Sequence, residues 1–196
     1  MSLARDFFLR DAVKVAEDLI GCKINRYIDG DILSLQIVET EAYCGPEDKA
    51  CHAYNNKLTE RTEPMFKKGG HVYVYLIYGM YHCFNIVTAA EGIPQAVLLR
   101  AGEPVRGKQL MQTNRDLKSA QDCDLASGPG KLCQALKINK DLSGLDLIDY
   151  DQIEIISSPR GDFSVDSGPR INIDYAEEYT DKPWRFYMPE SDCLSN

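Results

Sequence analysis

Three apolar, β-rich runs crowd into residues 72–100, and only short turns separate them. They are Val72 to Tyr78, Tyr81 to Thr88 and Gln95 to Arg100, joined through Gly79-Met80 and Glu91-Gly92. Connections this short join antiparallel neighbours, because a parallel pair needs a crossover of a dozen or more residues. The spacing therefore excludes a doubly wound parallel sheet. Upstream, residues 22–27 and 32–43 flank Asp29-Gly30, a turn signal between apolar segments. The second of these strands is long enough to bend or bulge before Gly45-Pro46 breaks it. Helices are expected over residues 11–20, with Val13, Ala16 and Ile20 on one stripe and Gly21 as a C-terminal cap, and over 104–114 from Pro104. A third helix opens at Ser127-Gly128-Pro129-Gly130-Lys131, with Ser127 or Gly128 as its cap. Short strands are expected at 153–156 and 170–175. The sum is an α+β fold: one domain over residues 1–196, with a mostly antiparallel sheet core, flanking helices and a protruding hairpin.

Residues 46–71 form a polar connection with a short helical piece, and long ordered loops of this kind often carry function. No apolar run reaches the length of a membrane span, and Arg5, Asp6, Arg10 and Asp11 interrupt the start of the chain. A cytoplasmic protein without a membrane partner is expected. The formal net charge is -8, which taken alone argues against nucleic acid. Its distribution weakens that argument: residues 141–181 hold eleven acidic and two basic side chains, leaving 20 basic against 19 acidic elsewhere. The seven cysteines are irregularly spaced without a CxxC, so reduced thiols are expected, several of them buried. A metal site at Cys44, Cys51 and His52 would need a further ligand.

Two segments carry chemistry. Ile37-Val38-Glu39-Thr40-Glu41-Ala42-Tyr43 runs apolar and then ends in two carboxylates and a tyrosine. Strand alternation puts Ile37, Glu39, Glu41 and Tyr43 on one face, which would pass from core to cavity. A glutamate there can act as general base on a water. From the residues alone, a structural pair explains the glutamates at least as well. Residues 72–81 hold four tyrosines. Tyr73 and Tyr75 share a face, half-buried in the sheet or walling a base pocket, and Tyr78 sits at the tip before Gly79. Asn85 interrupts an apolar strand, so its amide needs partners. Arg100 ends another strand, where a cation suits a carboxylate or phosphate. His52 is a lone histidine with no HExxH pattern nearby. Gly128-Pro129-Gly130-Lys131 lacks the spacing of a phosphate loop.

Taken together these stretches resemble the alkyladenine type of 3-methyladenine DNA glycosylase. The resemblance is carried by Leu3-Ala4-Arg5, residues 37–43, Gly45-Pro46-Glu47-Asp48, His52, Met65-Phe66, residues 72–81, Cys83-Phe84-Asn85, Val97 to Ala101, Glu103-Pro104, Gly128 to Leu136 and Pro183-Trp184-Arg185-Phe186-Tyr187, almost end to end. It implies a monofunctional enzyme without metal or cofactor, acting as a monomer on double-stranded DNA that contains damaged purines. It would flip 3-methyladenine, 7-methylguanine, hypoxanthine or ethenoadenine out of the duplex and hydrolyse the N-glycosidic bond, without cutting the backbone, to start base excision repair. Carried over by motif, Glu41 is the general base and Arg100 helps hold its water. Tyr43, His52 and Tyr75 wall the base pocket, Asn85 disfavours guanine, and Tyr78 fills the gap left in the duplex. Gly130 and Lys131 are candidate contacts to the DNA backbone. Glu60 and Glu63 make the loop after His52 less basic than the family pattern, so modest, salt-dependent DNA binding is expected.

Overall fold

The computed structural model describes residues 1–158 and 163–195. Its elements in chain order are α1 (Arg5–Phe8), α2 (Ala12–Leu19), β1 (Lys23–Ile28), β2 (Asp31–Cys44), β3 (Val72–Ile77), β4 (Tyr81–Thr88), β5 (Gln95–Arg106), α3 (Lys108–Asn114), α4 (Asp122–Ala126), α5 (Pro129–Ala135), β6 (Ile153–Ile156), β7 (Asp166–Gly168) and β8 (Arg185–Tyr187). The sheet runs β3-β4-β5-β2-β1-β6, and β8 pairs with both β2 and β7. All of these pairings are antiparallel. This is the expected α+β fold. Among the described residues, no helix is long and apolar enough to cross a membrane.

Alternation along the strands sorts side chains into two layers. Val72, Val74, Phe84, Ile86, Val97 and Leu99 pack into the main core with α2 and α5. Tyr73, Val87 and Ala96 point the other way, into a smaller cluster with Cys51, Ala53 and Met65 from the long connection after β2. One face of the sheet is thus sealed by helices and the other is roofed by a loop. On α2, Asp11 caps the first turn by accepting from the Val13 N–H, and the buried stripe is Ala12, Val15, Ala16 and Leu19, rotated from the expected one. Gly21, at φ +85°, leads into β1.

The β2–β5 ladder holds the feature that builds the site. Its register passes from Ile37↔Gly102 to Glu39↔Ala101 and then to Thr40↔Leu99, so Val38 on β2 and Arg100 on β5 are each skipped. An extra residue in one strand reverses the face that later side chains occupy. Before the bulge, Leu33, Leu35 and Ile37 face the main core; after it Val38 and Ala42 do. Ile37 therefore does not share a face with the two glutamates, contrary to the expectation from unbroken alternation. The bulge turns Glu39, Glu41 and Tyr43 away from the core.

Three other expectations are corrected. Residues 104–106 continue β5, and the helix begins only at Lys108, after Gly107 with φ +81°. Pro104 is tolerated in the strand because the ladder is already irregular beside it. The stretch 170–175 is not a strand: Asn172 takes φ +60°, and a 3₁₀ turn runs over Asp174–Tyr179. The cysteines are not all reduced. Cys123 and Cys193 form a disulfide across 70 residues of chain, while Cys22, Cys44, Cys51, Cys83 and Cys133 are free. Folding of the last segment against α4 brings the pair together, which spacing along the chain does not reveal.

Candidate active site

A cavity of about 610 Å³ opens beneath the β3–β4 hairpin, lined by Tyr43, His52, Tyr75, Tyr78, Asn85, Arg100, Gly130 and Lys131 among others. Of the residues to which the resemblance assigns a role, all except Glu41 reach this lining, whereas Glu39, Cys44 and Cys51 do not. Volumes of roughly 300–1,000 Å³ accommodate small organic ligands.

Glu39 and Glu41 are both fully buried, not exposed along a cavity wall. β8 covers this part of β2, with Glu39 opposite Tyr187 and Glu41 opposite Arg185. Glu41 lies one layer behind the lining. Its Oε2 accepts from the Tyr43 hydroxyl at 2.8 Å and its Oε1 from the Ile171 N–H at 2.7 Å. Arg100 Nη1 stands 3.2 Å from Oε2. Burying a carboxylate is costly without such partners. The bulge explains how Arg100 reaches it: skipped by the β2 register, the guanidinium lies between the two glutamates, with Nε 3.4 Å from Glu39 Oε1. Burial opposes the charge on Arg100, but Glu41 and then Glu39 outweigh it and hold the guanidinium above its ordinary range.

Glu39 has a separate set of partners. Arg185 Nη1 donates to its Oε1 at 3.0 Å and the Ser195 N–H to its Oε2 at 2.7 Å. The Ser195 hydroxyl accepts from Arg100 Nε and Nη2 at 3.1 and 3.0 Å. Glu39 thereby fixes Arg100 and the last described residues rather than facing the cavity.

The aromatic walls are tied together. The His52 and Tyr75 rings meet edge to face at 4.6 Å, and His52 Nδ1 is 2.8 Å from the Tyr73 hydroxyl. Arg61 Nη2 lies 3.2 Å from His52 Nε2, and its guanidinium sits 5.0 Å from the centre of the Tyr75 ring. An arginine only donates, so Nε2 accepts and the proton of the neutral ring is on Nδ1. Burial, helped by the Arg61 charge, lowers the His52 pKa to about 4. Burial and then Glu41 push the Tyr43 phenol well up, so Tyr43 keeps the proton that it donates. Burial likewise raises Tyr75 and takes Tyr73 to about 12. The Asn85 amide donates to the Tyr73 and Cys83 carbonyls at 3.0 and 3.2 Å. Both N–H bonds are spent on backbone acceptors, which fixes the amide orientation.

At the tip of the hairpin, Tyr78 and Gly79 adopt positive φ of 53° and 71°. Tyr78 is 76% exposed and Met80 63%. A bulky residue in the left-handed region costs energy and leaves the ring in solvent, where nothing in the fold requires it. Beside the tip, Gly130 packs under Tyr81, whose ring would lie 3.0 Å from a Cβ at this position. That contact accounts for the glycine. Lys131 is exposed, with Nζ 3.1 Å from the Ser127 hydroxyl.

Residues 6–192 match the family model described as methylpurine-DNA glycosylase. The chain belongs to that family. It is 52% identical over its whole length to a protein of Natranaerobius thermophilus, covering 99% of that relative, and 49% identical over its whole length to one of Alkaliphilus oremlandii, again covering 99%. A protein of Bacillus cytotoxicus is 48% identical over 96% of this chain and 97% of its own. Each of the three is provisionally named a 3-methyladenine DNA glycosylase.

Several contributors to the site were not singled out from the sequence. Asp48 and Arg185 lie within stretches that carried the resemblance, but nothing there assigned them a contact. Arg61, Arg170, the Ile171 amide and Ser195 come from irregular segments, whose contacts leave no periodic signal. Among the described residues, no cluster of three or more potential metal ligands occurs.

Proposed function

We propose that this protein is a monofunctional DNA glycosylase that extrudes damaged purines from duplex DNA and hydrolyses their N-glycosidic bond. The observation that carries the reading is the buried Arg100–Glu41 pair behind the Tyr43 wall of an aromatic cavity. Family membership supports the same chemistry.

A purine extruded from the stack enters between the aromatic walls, at the cost of unstacking, which damaged bases lower. Tyr43, His52 and Tyr75 bound the slot, and a cationic alkylated purine gains additional attraction from the ring faces. As the bond from C1′ to the purine nitrogen breaks, its electron pair leaves with the base and positive charge grows on the sugar. The Glu41 carboxylate stabilises that charge. A water adds its oxygen to C1′ and passes a proton to Glu41, while Arg100, 3.2 Å from the carboxylate, orients the water beside it. Oε2 of Glu41 already meets Tyr43 and Arg100, while Oε1 has the Ile171 N–H and a second lone pair for the water; catalytic hydrogen bonds often reach their working geometry only with substrate bound. A 3-methyladenine or 7-methylguanine base is cationic before cleavage and departs as a neutral purine. Hypoxanthine and ethenoadenine are neutral and leave more readily if protonated, and His52, neutral at pH 7, is not the donor.

Tyr78 at the hairpin tip is the wedge for the vacated position. The Asn85 side chain, held by its two bonds to the backbone, disfavours guanine by a steric clash with the exocyclic amine. Lys131, exposed beside the hairpin, and the Gly130 amide would meet a DNA phosphate. Single-turnover excision on duplexes with 3-methyladenine, 7-methylguanine, hypoxanthine or ethenoadenine, each with EDTA, tests the reading. The expected result is an abasic product with an intact backbone. Glu41→Gln should lose excision by at least about a hundredfold, the low end for general-base catalysis, while lesion binding persists. Wild-type rates in that variant would overturn the assignment of Glu41.

A further inference from the structure

One buried ion pair beside the cavity has no part in the chemistry above. The side chains of Arg170 and Asp48 are both fully buried. Arg170 Nη1 and Nη2 donate to the two Asp48 oxygens at 2.5 and 2.8 Å, and Nη1 also donates to the Ala42 carbonyl at 2.9 Å. Asp48 is itself fixed by the N–H groups of Cys44 and Ala50, at 3.1 and 3.0 Å. The guanidinium stands 4.8 Å from the centre of the Tyr43 ring and 5.0 Å from that of Trp184. The pair thus ties the end of β2 and the turn that follows it to the loop at Arg170.

Both hydrogen-bonded oxygens of Glu41 depend on this clamp. The next residue, Ile171, donates its N–H to Oε1, and Tyr43, whose ring lies against the guanidinium, donates its hydroxyl to Oε2. We infer that Arg170, held by Asp48, is a positioning residue that sets the orientation of the Glu41 carboxylate for attack on the glycosidic bond. The inference rests on Glu41 being the general base. Stability alone does not explain the pair, since apolar residues of similar volume often replace buried ion pairs without loss. A two-pronged fork fixes direction and rotation together, and a lysine cannot. Misplacement of a reacting group by about 1 Å can cost about a hundredfold in rate.

The test uses the full chain and a hypoxanthine duplex, with single-turnover rates at saturating enzyme, equilibrium affinity and thermal unfolding measured on each variant. Arg170→Lys keeps the charge and loses the fork. Asp48→Asn combined with Arg170→Met leaves no buried charge unpaired, and decides the matter if Arg170→Lys does not fold. The expected result is a rate lowered about ten- to a hundredfold in folded protein, with lesion affinity within about threefold of wild type. A lower unfolding temperature with an unchanged rate in the folded fraction would show a purely structural clamp and overturn the inference. Glu41→Gln is run alongside: excision surviving in that variant overturns the general-base reading itself. Loss in Glu41→Gln with full rates in both clamp variants overturns only the role of Arg170.

Discussion

The Tyr43 hydroxyl, the Ile171 amide and the Arg100 guanidinium all converge on one carboxylate, and no one of them identifies it alone. Glu39 and Glu41 are chemically identical and only two residues apart, yet their partners separate them. Glu39 meets Arg185 and the Ser195 amide, and is enclosed. Glu41 shares its oxygens with two groups that themselves line the cavity, Tyr43 and Arg100. His52 offers a test at the same scale. Its pKa of about 4 lies below the ordinary histidine value near ~6.5. The folded protein therefore holds His52 neutral while the unfolded chain protonates. Its contribution to stability is complete above about pH 6.5 and is lost as pH falls toward 4. The ring resonances of His52 should titrate with a midpoint near 4 by NMR, and Arg61→Gln should move the midpoint upward by removing an adjacent cation. A midpoint near 6.5 in the wild type would contradict the buried, neutral ring.

At the scale of elements, the bulge in the β2–β5 ladder and the hairpin β3–β4 do different work. The bulge reverses the facing of β2, so that one strand contributes Ile37 to the core and Glu41 to the site. The hairpin ends in an exposed tip that the fold itself does not use, which is what the proposed wedge requires. Tyr78→Ala should leave the thermal unfolding temperature unchanged within error, because the ring is exposed. It should weaken binding to a lesion duplex about five- to 150-fold, the equivalent of ~1–3 kcal/mol for a lost base–aromatic stack. Unchanged affinity would remove Tyr78 from the role of wedge. Short connections made the antiparallel order of β3, β4 and β5 readable beforehand. The helix expected from Pro104 failed because local proline preference was outweighed by pairing of residues 104–106 with β2.

Across the whole molecule, the last described segment closes the site from a distance. Cys193 bonds to Cys123, and two residues later Ser195 lies against Glu39 and Arg100. A cross-link that closes a loop of 70 residues stabilises the fold by about 4 kcal/mol in the chain-entropy account. Thiol titration of the denatured, non-reduced protein should find five free cysteines rather than seven. Mild reduction should lower the midpoint of denaturant unfolding, and seven titratable thiols without reduction would show the bond absent.

Read along the chain alone, the residues specify the strand order around 72–100, the apolar periodicities of the sheet and, through ordered motifs, the family and the candidate residues to test. These are local properties: hydrophobic alternation, turn chemistry and short strings of side chains survive in one dimension. Tertiary structure alone decided that Ile37 parts from Glu39 at a bulge and that Glu41 lies behind Tyr43 rather than on the wall. It also decided that the Ile171 amide meets Glu41 while the Ser195 amide meets Glu39. Those outcomes depend on contacts between segments more than a hundred residues apart, or on one skipped residue in a ladder. The physical reason is that a buried charge is defined by what surrounds it, and only the folded chain supplies the surroundings.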